Sequence, residues 1–467
     1  MVQTRHRRLL TSIGGIGVAV AVAAAAGLLV FFLVRSSSPP TFHATGTFRF
    51  LEVTAHIVSD ESLQVLGYEW KSLPKEGNAI WGVIAAHNAM TVIPCALGGE
   101  GPEGSLTYPH EGSFADACKK ARQSGVWESE NGELDHWLTS NTEPLALFQK
   151  AVRKPGFQFS VNAPRAGGPW PGFYGGLEFP IGGYLLLGDV ALLEAARSLT
   201  GGEVDQAIDL AESCLLLAAH LSGNGEEPDR AYETCAGLIL WGRGLGFLRS
   251  VLQSRSFEVK HLNELQRRLV DLLPRLPSYA PLLAAERRET RHALLDAELG
   301  CGQARPGLVS WRGVSGPFRT SGARGRIDRF FDLAGELPAM SPAEAFSEGT
   351  RTHLNNAAVE ADPNGDFRLN RNIVSYYRNV LGTRTALDEL RVAIGCLTFR
   401  KRERRFPTDL RELELETQSS PPRDRFSGQD LIYRPTDGGF TIQSPWERAL
   451  WTGTRRWTTY QPTHREE

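Results

Sequence analysis

The sequence predicts a mostly α-helical protein: an N-terminal transmembrane helix, an irregular stack of helical hairpins, and a small α+β module at the carboxyl end. Three observations carry this. Residues 9–34 contain no charge. From Thr142 onward, apolar residues recur at helical spacing between breaks marked by Gly and Pro. Near the end, Leu431-Ile432-Tyr433 and Phe440-Thr441-Ile442 change to short β-type runs around Thr436-Asp437-Gly438-Gly439, the pattern of a hairpin.

The run LLTSIGGIGVAVAVAAAAGLLVFFLV over 9–34 is 26 residues long. At about 1.5 Å per residue it makes a helix of about 39 Å, enough to cross a hydrocarbon core of about 30 Å with some tilt. A helix can do so because it satisfies its own backbone donors and acceptors. Arg5, Arg7 and Arg8 precede the run, and a single nearby arginine, Arg35, follows it. Positive charge resists translocation. The expectation is therefore a single-pass protein of the cytoplasmic (inner) membrane, with residues 1–8 in the cytoplasm, 9–34 in the lipid bilayer and the body exported. A cleaved signal peptide would have a shorter apolar core and a small-residue cleavage site, whereas this run ends on Leu28, Leu29, Val30, Phe31 and Phe32. Gly17, Ala21 and Ala25 lie four apart, a spacing that an Ala-rich run also produces by composition alone.

After the anchor, residues 35–140 read as a tether and an irregular membrane-proximal region, 141–382 as a helical hairpin domain, and 383–467 as a helix plus a small β-hairpin module. The chain is 22% charged and 41% hydrophobic, which suits a folded body, and its net charge of −2 offers no overall field for nucleic acid. Of the six cysteines, Cys95, Cys118, Cys214, Cys235, Cys301 and Cys396, none forms a C-x-x-C pair, so no zinc ribbon or thioredoxin-type site is suggested. Cys214 and Cys235 stand nearly equidistant from the 222–229 turn. In an antiparallel helical hairpin they would face each other, a possible disulfide in an exported body; the alternative is two small buried residues.

In chain order, 50–65 could be strand or helix, and 78–97 is apolar and reads as a helix ending near Pro94. The cluster Gly98-Gly99-Glu100-Gly101-Pro102 with Gly104 lacks the P-loop lysine and reads as a surface turn. Asn141-Thr-Glu-Pro opens a helix with Leu145, Leu147, Phe148, Ala151 and Val152 on its apolar face. The Gly-, Pro- and aromatic-rich 157–179 reads as a packed loop. Helices are expected over 181–199, 203–221, 229–254, 258–273, 279–299, 342–360 and 371–400. Pro407 can open a short helix over 408–413.

The junction ARSLTGGEVDQAIDLAESCLLLAAHL resembles the helix-turn-helix joint of tetratricopeptide-like repeats, at this one joint only, since no fixed 34-residue period follows. The tail layout, FP-x-x-L-x-x-L, then D-x-FSG-x-x-L-x-Y, then GGF-x-x-x-S, resembles a module ending many uncharacterised single-anchor helical envelope proteins of bacteria. TEPLALFQKAVRKPGFQF, ARSLTGGEVDQAIDL and AAERRETRHALLDA are similar too, so the resemblance spans roughly 141–446. That family has Asp-Pro where this chain has Asp424-Arg425. The tail is also distantly similar to the end of type II secretion pseudopilins, although the anchor lacks their Gly-Phe processing site and following Glu.

No catalytic or cofactor motif rises above background. Glu133-x-x-His136 and Glu289-x-x-His292 have the i, i+3 spacing of helical di-metal sites, but the first is in a polar stretch and the second stands among Arg287, Arg288 and Arg291, so solvated faces are expected. Glu286, Arg287 and Asp296 are expected to pair internally and fix a hairpin. Arg400, Lys401, Arg402, Arg404 and Arg405 form a basic run at a predicted helix end, where cations complement the dipole. Ser315 in GVSGP is not a nucleophile elbow. The reading favours a non-enzymatic envelope protein whose helical body binds an unknown protein or peptide partner, with no metal, cofactor or nucleic acid. A secretion or pilus-assembly accessory is the alternative, and an envelope hydrolase without recognisable motif the second alternative.

Overall fold

A computed structural model describes residues 77–91, 93, 112–127, 132–157, 181–225, 231–298, 322–362, 373–413, 422–436 and 438–445. The apolar run 9–34 with its arginine flanks, the tether, the 98–104 glycine cluster, nearly all of the 157–179 loop, Cys95, Cys301 and Ser315 lie outside them. Among the described residues the chain is mostly helical, with thirteen α-helices and one two-stranded antiparallel sheet.

Helix α1 (Ala79–Ala89) starts at Asn78, whose side chain accepts from the Ile80 amide. It stops before the expected end near Pro94, because the next residues have other partners. The Thr91 amide donates to Asn141 Oδ1 at 2.9 Å, and the Thr91 carbonyl accepts from Trp137 Nε1 at 3.2 Å. Helices α2 (Ser113–Ser124) and α3 (Gly132–Ser140) occupy the stretch whose pattern is irregular in the sequence. Each is short and buries three side chains: Phe114, Cys118 and Ala121, then Leu134, Trp137 and Leu138. Helix α4 (Thr142–Val152) turns Leu145, Phe148, Ala151 and Val152 inward against α1, while Leu147 is 42% exposed and belongs to the outer face.

Helices α5 (Ile181–Thr200), α6 (Val204–Leu221) and α7 (Ala231–Ser254) form two successive antiparallel hairpins. Gly202, at φ +86°, makes the first turn. The second hairpin is set by glycines that let backbones approach. A Cβ at Gly237 would lie 2.9 Å from the Ala218 carbonyl oxygen, and one at Gly244 would lie 2.5 Å from Leu215 Cδ2. This register places Cys214 against Leu240 and Gly244, not against Cys235. Both thiols are free, and Cys235 meets the Tyr376 hydroxyl on another helix. Equal distance from the turn does not bring the two sulfurs together, because the close-packed glycines slide the helices by about two turns.

Within the described residues, 233–254 of α7 is the one segment long and apolar enough to cross a membrane by length and composition. It packs against α2, α5 and α6 and carries the buried Trp241. Its apolar surface is used inside the body, as in a core helix.

Helices α8 (Val259–Leu272), α9 (Tyr279–Glu298), α10 (Ala323–Gly335), α11 (Pro342–Ala345) and α12 (Glu348–Ala361) follow. Helix α13 (Ile373–Glu403) is 31 residues long and runs unbroken through residues 382 and 383. Buried side chains fall into two apolar clusters. One gathers α1 to α8 with Leu387, Leu390, Val392, Ile394 and Cys396 of α13. The other gathers α9, α10 and α12 with Ile373, Val374, Tyr376 and Val380. A single helix therefore serves both.

The carboxyl module packs on α13. Strands β1 (Ile432–Thr436) and β2 (Gly439–Gln443) pair with Tyr433 opposite Ile442 and Pro435 opposite Phe440. Phe440 is fully buried against Phe406, and the Tyr433 hydroxyl donates to the Pro407 carbonyl at 2.8 Å. The buried Asp424 carboxylate accepts from the Ser427 amide, the Ser427 hydroxyl and the Ser444 hydroxyl. Gly428, at φ +68°, closes that turn. The turn forms with Arg425 in place of proline, and the arginine side chain reaches Asp388 of α13 at 2.8 Å.

The glycine register has a measurable consequence. Gly237→Ala is expected to lower stability by about 1–3 kcal/mol, since the new methyl meets backbone. Gly242→Ala, where a Cβ meets nothing within 4 Å, is expected to be neutral or to stabilise by up to about 1 kcal/mol through helix propensity. Urea unfolding of the two variants checks the contrast, and equal losses would refute it.

Candidate functional site

Asp189 lies in the middle of α5, inside the apolar stretch Tyr-Leu-Leu-Leu-Gly-Asp-Val-Ala-Leu-Leu. Its side chain has no solvent exposure. Arg122 of α2 donates to one carboxylate oxygen at 2.7 Å and Arg243 of α7 to the other at 2.8 Å. A buried carboxylate is tolerated only when it is paired and hydrogen-bonded. Two guanidiniums meet that need and tie three helices at one point. Cys214 is in this neighbourhood, and burial pushes its thiol up to about 12, while burial also raises Cys118. Thiols held protonated in this way are poor nucleophiles.

A second buried polar layer lies on α13 among the residues of its second apolar segment. Asp388 takes Arg425 at 2.8 Å and Arg391 at 3.4 Å, and Asp388 and Arg391 are both buried. The Arg425 amide donates to Thr385 Oγ1. On the flank of the first apolar cluster, Arg268 of α8 joins Asp209 and Glu212 of α6 to Glu264. All three constellations hold helices in place, and each carboxylate is engaged by a guanidinium.

The accessible recesses lie on either side of α10. One, of about 470 Å³, has Ala280, Leu283, Ala284 and Arg287 of α9 on one wall and Phe331, Asp332, Gly335 and Glu336 on the other. The second, of about 250 Å³, runs between Leu333, Glu336 and Met340 and the Gly349, Thr350, His353 and Leu354 face of α12. Glu336 is common to both. Arg287 bridges Asp328 and Asp332 of α10 at 3.1 and 2.9 Å, and Arg291 reaches Asp328 at 2.7 Å. Burial raises the Asp328 carboxyl, but hydrogen bonds from Arg291 and Arg287 outweigh it and hold the group below its usual range. Arg287, expected to pair with Glu286 and Asp296 of its own stretch, instead pairs across helices, with α10. Asp296 lies beyond the described side chains.

Glu133 and His136 are both exposed on α3, while the side chains of Glu289 and His292 fall outside the described set. No three His, Cys, Asp or Glu residues converge on a metal-sized site among the described residues. The basic run 400–405 does close α13 at its carboxyl end. Sequence reasoning missed Asp189 and Arg243. The available signal was an acid flanked by apolar residues in one helix and a base among Gly, Leu and Trp in another. No protein-family model, curated protein or solved structure matches the chain.

Two predictions follow from the buried polar groups. Asp189→Asn leaves two guanidiniums facing a neutral amide and is expected to cost about 3–5 kcal/mol. Asp271→Asn, which removes the exposed partner of Arg267, is expected to cost less than about 1 kcal/mol. Denaturant midpoints measured side by side decide this. The second concerns His220 and His87, both buried and both pushed down to about 4 by desolvation. His220 Nε2 donates to the Val152 carbonyl at 2.9 Å and its ring stacks on Phe157. The unfolded chain takes up these protons near pH 6.5, whereas the folded chain resists down to about 4. Their contribution is complete above about 6.5 and lost as pH falls towards about 4. His220→Gln should flatten the slope of stability between those limits, and an unchanged slope would show that His220 does not contribute.

Proposed function

We propose that this chain is a membrane-anchored structural or interaction protein of the bacterial envelope, held by residues 9–34, whose helical body receives a protein or peptide partner. The observation that carries the binding half is the pair of recesses flanking α10. Their floors are apolar, with Leu283, Phe331, Leu333, Met340 and Leu354, and their rims are charged, with Arg287, Asp332 and Glu336. Such a lining accepts apolar side chains and leaves polar groups to fix orientation. The recesses are separated by one helix, about 10 Å across. Two anchors at that distance correspond to positions about three apart on an extended peptide, or about seven apart on a helix.

The anchoring half rests on the uncharged run itself and on the arginines before it. The irregular helical stack, tetratricopeptide-like at the α5–α6 joint, is a scaffold suited to presenting such a surface.

Photo-crosslinking in intact cells tests the reading. A photoreactive residue at Leu333 or Ala284 is expected to give discrete adducts that a residue at the exposed Thr139 of α3 does not. Met340→Asp, at a half-exposed position, is expected to reduce those adducts at least about tenfold, in line with removal of a central apolar anchor. Equal labelling from all three positions, or adducts indifferent to Met340→Asp, would count against a partner at α10.

A further inference from the structure

We propose that the carboxyl end of α13 is a contact surface for an anionic lipid headgroup layer. The proposal rests on the anchoring reading, which brings the body next to a bilayer. Arg400, Lys401, Arg402, Arg404 and Arg405 are five cations within six residues, the sixth being the exposed Glu403, which leaves four net positive charges in a chain with 51 Lys and Arg among 467 residues and a net charge of −2. Local structure accounts for only part of this density. Arg405 pairs with Glu412 at 2.7 Å and lies over the Phe399 ring. Arg400 lies over the Phe406 ring. Lys401 donates to Ser256 at 3.1 Å. Arg402 and Arg404 are exposed and make no ion pair among the described residues.

The helix dipole favours cations here, but its effect is confined to the last turn and is the same for any one or two of them. Arg404 also ends the helix at φ +58°, a conformation that glycine or asparagine adopts more readily. Its amide donates back to the Arg400 carbonyl at 2.7 Å. Helix termination alone therefore does not call for arginine at this position.

The surface is a helix end, with both half-buried rings covered by guanidiniums. Surfaces for single-stranded nucleic acid instead leave aromatic faces open for base stacking. A plane of anionic headgroups needs no such faces, and each cation against it is worth roughly fivefold at low salt.

The experiment uses the full chain reconstituted in vesicles of phosphatidylcholine, with or without about one-third phosphatidylglycerol. Flotation reads anchoring, and amide hydrogen exchange over 399–406 reads contact. The expected result is flotation with both vesicles and exchange at least about fivefold slower in the anionic ones. The slowing should vanish at about 0.5 M salt and in the R402E/R404E variant, with exchange elsewhere in the chain unchanged. Flotation with both vesicles but equal exchange would overturn the contact and leave the anchor standing. Flotation with anionic vesicles alone, with slowed exchange, would overturn the anchor and leave the contact. Flotation with neither would overturn both. Slowing by an RNA oligonucleotide but not by anionic vesicles would overturn the choice of lipid.

Discussion

A carboxylate without access to water must find its counter-charges inside the protein, and Asp189 finds two. Its arginines come from α2 and α7, so the requirement cannot be met unless three helices arrive together. The neighbouring glycine sharpens the demand. Gly188 stands where a Cβ would come within 2.3 Å of Leu240, which brings α5 and α7 close enough for the guanidinium of Arg243 to reach. Apolar burial supplies most of the driving force for this stack, but it is non-directional. The ion triad and the glycines select one register among the many that would bury similar area.

The same logic recurs on α13. Its two apolar segments belong to different clusters, and Asp388 lies at the start of the second, paired with Arg391 and Arg425. The motif residues of the tail are absorbed by this arrangement. Asp424 closes its own turn, Phe426 enters one cluster, and Leu431, Phe440 and Ile442 enter the other. Arg425 holds the turn to the helix below through an ion pair. These motifs specify packing, and a motif used for packing says little about chemistry.

Much of the helical order was readable because long amphipathic segments have a strong period. The helices from α4 to α9, α13 and the hairpin fall close to where that period and the turn residues put them, whereas the single helix expected over 342–360 is two, α11 and α12, parted at Phe346 and Ser347, where the Ser347 side chain caps the second. Short elements were harder. α2 and α3 each bury only three side chains, too few to stand out from a polar stretch. α10 carried a signal, with Ala323, Ile327, Phe330, Phe331 and Ala334 on one face, but its Arg- and Gly-rich context obscured it. Register was beyond reach: the Cys214 position depends on where glycines let helices approach, which distance along the chain does not report. The recesses were equally hidden, since their walls come from three helices separated by turns of unknown direction. The Asp189 triad was half visible, with two of its charges set in mainly apolar helices and the third in a stretch with no pattern.

Because α13 is continuous across both apolar clusters, the two clusters of the described body cannot be parted at this helix without cutting through it. A break near residue 383 would strip each cluster of one wall and strand Asp388 apart from the segment that precedes it. An added or lost residue inside α13 would rotate one segment against the other, so the helical stack and its tail are mechanically coupled through this one helix.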